Sequence, residues 1–359
     1  MNALLFVAGL VGLIVGASLL VRGASKLALS FGISPLVVGL TVVAFGTSAP
    51  EVAVSVGAVL GGTTDVAVGN VVGSNIFNVL FILGLSALIT PLVVGSQLIR
   101  QEVPIMVGVS LLLCAVGLDG RIGLFDAVLL SVLMVAYTVF LVVQSRRESQ
   151  AAEDSPTEEV PELKAGAWDA RLPGQLLLIA AGLVALVLGS DWLVTAAVAF
   201  AKQLGVSDLI IGLTIVAAGT SMPEVATSIT AALKGERDIA VGNVVGSCVF
   251  NILGCVGIAG VVAAYTGPGL VLPPALLAFD LWVMVAVALA CLPVFLTGRE
   301  IARWEGGVFL AYYIAYVAYL ILAAQDHAAL PQFNQVMLGF VVPLTLVTIV
   351  ASMLRKTPS

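Results

Sequence analysis

The chain has 359 residues, of which 60% are hydrophobic and only 10% charged. A soluble protein of this length carries roughly 25% charged residues, and runs of ~20 apolar residues read as membrane spans; here they follow one another almost from end to end, which excludes a soluble fold. The net charge of −6 is modest and comes largely from one internal segment, so nothing in it points to nucleic acid as a partner.

Eleven helices are predicted, at about 3–21, 35–60, 66–90, 102–118, 123–144, 174–199, 208–233, 240–265, 272–296, 305–324 and 335–354. The first apolar stretch starts without a basic n-region and no small-residue cleavage site follows it. It continues into Gly16 to Leu20, so it reads as a retained helix and not a signal peptide. Between the fifth and sixth helices, residues 145–172 carry Arg146, Arg147, Glu148, Glu153, Asp154, Glu158, Glu159 and Glu162 together with Pro156 and Pro161. That composition describes a solvated linker, too short to be a folded regulatory domain. Cys114, Cys248, Cys255 and Cys291 all lie inside apolar runs and read as packing cysteines. The only histidine, His327, stands beside Asp326 in a short loop. Without a His/Cys cluster, neither zinc nor copper is indicated, and no cofactor is expected.

The helices repeat. Residues 39–51 read GLTVVAFGTSAPE and residues 212–224 read GLTIVAAGTSMPE; residues 69–78 read GNVVGSNIFN and residues 242–251 read GNVVGSCVFN. Both pairs are offset by 173 without a gap, and Asp65 falls on Asp238, Gly16 on Gly189. Beyond the third helix the offset is 178, matching Glu102 to Asp280 and Arg121 to Arg299. The fold class predicted is an all-α polytopic membrane protein of two inverted five-helix repeats plus one extra C-terminal helix. Its units are residues 1–144, the linker 145–172, residues 173–325, and an extra helix with tail at 326–359.

Five helices per repeat is an odd number, so the halves cross the bilayer in opposite directions. Loop charges give the orientation. Arg22, Lys26, Arg100, Arg146, Arg147, Lys164, Arg171, Lys234, Arg237, Arg299, Arg303, Arg355 and Lys356 fall on the side of the linker, against Arg121 and Lys202 on the other. The linker and C-terminus are therefore expected in the cytoplasm and the N-terminus outside. Inverted repeats around a midplane site are characteristic of secondary transporters.

Two equivalent carboxylates lie deep in helices, Glu51 and Glu224. Each costs about 2.5–3.5 kcal/mol at the centre of a membrane helix on insertion scales, which makes it a functional candidate. A protonated or internally paired structural glutamate is the plain alternative, and two copies in identical GTS-x-PE frames weigh against it. Thr47 and Ser48 share a helix face with Glu51, as Thr220 and Ser221 do with Glu224. Pro50 and Pro223 cannot donate a backbone hydrogen bond, so kinks are predicted there, with carbonyls freed near Ala44 to Gly46 and Ala217 to Gly219. Ser74 with Asn78 and Ser247 with Asn251, each pair four apart, are placed toward the same site, while the glycines of GNVVGS serve helix packing. Hydroxyls, carbonyls and carboxylates are the hard oxygen ligands of Ca²⁺ and Na⁺, and two carboxylates match one Ca²⁺ in formal charge. The remaining acids read as structural: Asp191, aligned with Ser18, as a helix-end contact; Glu102 and Asp280 near helix starts, favoured by the helix dipole; Asp65 and Asp238 as N-terminal caps.

At these motifs the chain resembles the cation/calcium exchanger superfamily, whose two repeats carry GTS-x-PE and GN-x-x-GSN-x-x-N/D, and within it the prokaryotic sodium/calcium exchanger branch. The resemblance covers the first ten helices and implies ten helices in two inverted halves joined by a cytosolic linker. Its ligand set maps onto Glu51, Thr47, Ser48, Ser74, Asn78, Glu224, Thr220, Ser221, Ser247 and Asn251, with the backbone oxygens of Ala44 and Ala217. It further implies electrogenic exchange of several Na⁺ for one Ca²⁺ across a prokaryotic plasma membrane, with the first and sixth helices sliding past the rest, and no enzyme activity. Some members carry Asp where this chain has Asn251, which argues against K⁺ co-transport; Cys248 where the first repeat has Asn75 suggests altered packing more than altered binding. The nearest rival is a Ca²⁺/H⁺ antiporter using the same two glutamates. A channel or a scaffold protein fits less well, since a charged pair at the midplane suits alternating access and no extramembrane domain is present.

Overall fold

The computed structural model describes residues 2–153, 168–205, 211, 214–215 and 217–354. The middle of the predicted linker, the first part of the predicted helix 208–233 and the last five residues lie outside the described residues. Long helices dominate: α1 Asn2–Phe31; α2 Pro35–Thr47 and α3 Ala49–Leu60, bent by 41° at their junction; α4 Thr64–Ile89; α5 Leu98–Val116; α6 Leu124–Glu153; α7 Leu172–Gln203. After a one-turn helix at Ala217–Gly219 follow α8 Met222–Leu233, α9 Arg237–Thr266, α10 Leu276–Leu296, α11 Arg303–Ala324 and the terminal α12, which starts at Leu330. Among the described residues nine helices are long and apolar enough to cross a membrane, ten with the bent pair α2/α3 counted as one span. The chain is an all-helical integral membrane protein.

Burial orders the helices. In α9, 89% of the apolar window is buried and in α4 72%, against 6% in α11 and none in the first 19 residues of α12. The centre is therefore α2/α3, α4, α8 and α9, with α12 outermost, held to α11 by the Tyr312 hydroxyl donating to Thr345 Oγ1 at 2.7 Å. On one flank α1 and α7 pack antiparallel at backbone contact. A Cβ on Gly9 would lie 2.8 Å from the Gly189 carbonyl oxygen, and one on Gly182 2.8 Å from that of Gly16. Lipid offers no hydrophobic drive between helices, so small residues that let backbones approach supply the packing.

The halves also trade short strands. β1 Leu92–Val93 pairs antiparallel with β4 Glu300–Ile301, and β2 Arg121–Ile122 with β3 Leu270–Val271, in the registers Leu92↔Ile301 and Ile122↔Leu270. No two-residue strand leaves a sequence pattern, and none was expected.

Several expectations change. The first helix runs past Val21 to Phe31, because nothing breaks it before Gly32, whose φ is +60°. The segment 145–172 is not solvated throughout: α6 continues through Glu153, and Trp168–Ala170 form a 3-10 turn. There the buried Asp169 is paired with Arg22 and, at 2.5 Å, with Lys26 of α1. These cations hold its carboxyl below the usual carboxylate range, the Lys26 contact contributing most. Asp191 is no helix-end contact: α7 extends to Gln203 and the residue lies on an exposed face. Glu102 and Asp280 are not dipole-stabilised helix starts, since their helices begin four residues earlier at Leu98 and Leu276. Glu102, fully buried, accepts from the Tyr137 hydroxyl at 2.7 Å and from Gln97 and Gln101; Asp280 accepts from the Tyr316 hydroxyl at 2.8 Å. Asp65 and Asp238 lie within the first turns, behind Thr63 and Glu236 at the cap positions, so the helix dipole and not capping is their contribution.

Candidate cation site

The site lies where two helices break. Ser48 has φ −86° and ψ 7°, and Ser221 φ −89° and ψ 8°, outside the helical well. The reason is local: Pro50 and Pro223 have no N–H to return to the preceding turn, so the chain stops and a new helix starts one residue later. Glu51 and Glu224 thereby fall in the first turn of α3 and α8, where the positive end of the helix dipole faces a carboxylate. The release of carbonyls is narrower than expected. Ala44 O still accepts the Ser48 N–H at 3.0 Å and, weakly, the Thr47 hydroxyl at 3.4 Å, which leaves it at most one lone pair for a ligand. Gly219 O accepts the Ser190 hydroxyl of α7 at 2.7 Å. Ala217 begins the one-turn helix before the second break, and its side chain lies outside the described residues.

Each carboxylate is held by the opposite half. The Ser48 hydroxyl donates to Glu224 Oε1 at 2.9 Å, and the Ser221 hydroxyl donates to Glu51 Oε1 at 2.9 Å and contacts Ser74 Oγ at 3.3 Å. Glu51, Glu224, Ser48 and Ser221 are all 0% exposed. No Lys or Arg side chain pairs with either carboxylate among the described residues.

Around this pair the polar atoms lack partners. Glu51 Oε2, Glu224 Oε2, both amide atoms of Asn78, Thr220 Oγ1, Thr227 Oγ1 and Ser247 Oγ are buried without a hydrogen-bond partner. Native interiors leave few such groups, and each unmade bond costs roughly 1–3 kcal/mol. A cluster of them, oxygen-rich and beside two carboxylates, is what a hard cation would satisfy. Among the described residues there is no group of three or more His, Cys, Asp or Glu that could hold a metal.

Of the residues named from the sequence, Ser48 is hydrogen-bonded to Glu224, and Ser221 to both Glu51 and Ser74, in two separate groups. Thr47 is turned to Asn243 Oδ1 at 3.1 Å. Asn78, Ser247 and Thr220 present unpartnered atoms, whereas the Asn251 amide is engaged, donating to Asn75 Oδ1 at 3.1 Å. Two positions escaped the sequence reading. Asn70 donates to Ser55 Oγ at 3.2 Å and to Glu51 O at 3.4 Å; Asn243 donates to Ser228 Oγ at 2.9 Å and to Glu224 O at 3.5 Å. These amides tie α4 to α3 and α9 to α8 at the level of the glutamates. The signal was present: both are the Asn of the repeated GNVVGS, 173 residues apart.

The family model described as sodium/calcium exchanger protein matches residues 1–143 and 174–322, leaving out the middle segment and α12. The CaxA protein of Alkalimonas amylolytica is 40% identical over 327 residues, covering 88% of this chain and 97% of its own. The sodium/calcium exchanger MaX1 of Methanosarcina acetivorans is 31% identical, covering 89% of this chain and 98% of its own. A structure of the sodium-calcium exchanger NCX_Mj, soaked with 10 mM Na⁺ and no Ca²⁺, superposes with a TM-score of 0.73 at 30% identity, over 88% of this chain and 98% of that one.

Proposed function

This chain belongs to the sodium/calcium exchanger protein family, a family of transporters and not enzymes, and on that premise we propose that it exchanges Ca²⁺ for Na⁺ at the cluster around Glu51 and Glu224. The observation that carries the reading is the crossed pair of hydrogen bonds, Ser48 to Glu224 and Ser221 to Glu51, each leaving the second carboxylate oxygen unpartnered in a buried setting. Two such oxygens on opposite halves can close on one divalent ion, and its two charges balance theirs. The ligands of this reading are Glu51, Glu224, Ser48, Ser221, Thr47, Thr220, Ser74, Ser247 and Asn78, with Ala44 O and Ala217 O.

Na⁺ is favoured over H⁺ as the counter-ion by the neutral donors. A proton needs only a carboxylate, whereas Thr220 Oγ1, Ser247 Oγ and Asn78 are buried oxygen-bearing groups that a proton exchanger leaves without use. Na⁺ takes such oxygens. The excess of Lys and Arg on the linker side supports a cytoplasmic linker and C-terminus, with the N-terminus outside, in a prokaryotic plasma membrane. The two inverted halves, residues 1–144 and 173–325, are proposed to alternate access around the site.

The test is radioactive Ca²⁺ uptake into proteoliposomes of the full chain, loaded with Na⁺ or with K⁺ at fixed pH. Uptake that requires internal Na⁺ and is lost in Glu51→Gln and in Glu224→Gln is the expected result. Uptake indifferent to Na⁺ but driven by an imposed pH gradient would make the counter-ion a proton.

A further inference from the structure

We infer that the two halves contribute unequally to the site: Asn78 is a cation ligand, its counterpart Asn251 is a locked positioning amide, and the pair Asn75/Cys248 makes the difference. The inference rests on the cation-exchange reading and names which residue of each half sets the donor count.

The two amides are equivalent by the offset of 173, and so are positions 75 and 248, where one half has Asn and the other Cys. The Asn75 amide nitrogen donates to the main-chain oxygen of Cys248 at 3.2 Å, with Met284 Sδ of α10 at 3.6 Å. A carbonyl oxygen can only accept, so the donor end of the Asn75 amide, its nitrogen, must face it, and this contact fixes which way the amide points. Its Oδ1 is then turned to Asn251, which must offer its own nitrogen, and does so at 3.1 Å. That leaves Asn251 Oδ1 on the far side, facing the thiol of Cys255 one turn along α9 at 3.6 Å. Both ends of the Asn251 amide are engaged within the wall of the bundle.

The other half cannot build this lock. Cys248 stands where Asn75 would be, and its thiol lies 3.9 Å from the Asn75 main-chain oxygen. A thiol has no counterpart of Oδ1 to hold an amide, being a weak donor and a weak acceptor, and no contact with Cys248 gives either amide atom of the neighbouring Asn78 a hydrogen-bond partner. Ile82 stands where Cys255 would be. Asn78, 1% exposed, is consequently left with neither amide atom in a hydrogen bond. A buried amide oxygen with no donor is available to a hard cation. An Asn251 side chain already committed at both ends is not. Cys248 is thus more than a packing variant: its inability to hold Asn78 frees that side chain for binding.

The experiment is equilibrium Ca²⁺ binding to the purified full chain in lipid nanodiscs, without Na⁺ and then with Na⁺ as competitor, with a thermal unfolding midpoint measured for every variant. Asn78→Ala is expected to weaken binding on the order of tenfold or more, the scale of a lost interaction with a charged partner, and to leave the midpoint close to that of the parent. Asn251→Ala is expected to do the reverse, lowering the midpoint while changing affinity less than about threefold. Cys248→Asn, which supplies a lock for Asn78, should weaken binding as Asn78→Ala does, and Cys248→Ala, which offers Asn78 no partner, should not. If Asn251→Ala costs as much affinity as Asn78→Ala while Glu51→Gln abolishes binding, the asymmetry is wrong although the site is right. If Glu51→Gln binds Ca²⁺ like the parent chain, the site itself is misplaced and the lock falls with it. Should Cys248→Asn fail to fold, the contrast between the two Asn→Ala variants decides alone.

Discussion

The glycine contact between α1 and α7 permits a matched pair of substitutions whose outcomes should differ in sign. A Cβ at position 182 would sit 2.7 Å from Leu20 N and 2.8 Å from Gly16 O, and at position 57 it would meet nothing within 4 Å. Ordinary contact begins at 3.4 Å, so Gly182→Ala must part the helices by about 0.7 Å. The atoms in the way are main chain and cannot rotate aside. Overpacking of this kind costs about 1–3 kcal/mol, while replacing glycine by alanine inside a helix returns roughly 0.5–1 kcal/mol. A net loss of up to about 2.5 kcal/mol, centred near 1, is expected for Gly182→Ala, against a gain of up to ~1 kcal/mol for Gly57→Ala. The assay is thermal unfolding of both variants and the parent in the same detergent, scanned at one rate because membrane proteins seldom unfold reversibly. Gly182→Ala should melt below the parent and Gly57→Ala at or above it. Equal midpoints, or the opposite order, would refute the backbone-contact account of how α1 and α7 are joined.

Two further outcomes follow from the hydrogen bonds. Ser48→Ala removes the side-chain hydroxyl from Glu224 Oε1, and Ser221→Ala that from Glu51 Oε1; each should raise the half-saturating Ca²⁺ concentration on the order of tenfold, and equal uptake by parent and both variants would sink the crossed-pair reading. Asp169 titrates low because Lys26 and Arg22 hold its charged form; its contribution to stability is therefore present above the ordinary Asp value near 3.9 and is lost as pH falls through and below it. Unfolding midpoints taken between pH 6 and pH 3 should fall less steeply at the acid end for Asp169→Asn than for the parent, and parallel curves would mean that the pair to α1 adds nothing.

What could be read from the sequence follows from what is local. Pro50 and Pro223 lack a donor wherever the chain goes, so the breaks at Ser48 and Ser221 were legible, as were the helix spans, whose apolar runs are their own signal. The partners were not. Helical periodicity groups Ser48 with Glu51, its neighbour on the same face, yet the hydroxyl bonds Glu224, 176 residues away. Nothing in a period of 3.6 residues reports a contact between halves. In a membrane protein the usual aid is also missing, because lipid-facing and buried positions are both apolar and the amphipathic stripe that marks a core face disappears. Asp169 was hidden differently, as one acid among many in an acidic stretch. Asn70 and Asn243 stood inside a motif already quoted and were passed over, since a buried amide that braces a backbone looks the same in sequence as one that binds an ion.

The crossed pairing carries a consequence that neither half possesses alone. Glu51 takes its Oε1 donor from Ser221 and Glu224 takes its own from Ser48, so neither half contains a complete carboxylate environment. Two isolated half-sites would each bury a carboxylate of about 2.5–3.5 kcal/mol insertion cost with one hydroxyl too few. Docked, they exchange donors through equivalent serines, and a relative shift of the breaks would stretch both bonds together. The same equivalence explains why the repeated motif is so complete at 47–51 and 220–224 and so relaxed at 75 and 248: the crossed bonds require the same residues twice, whereas the Asn75 lock needs an asparagine on one side only.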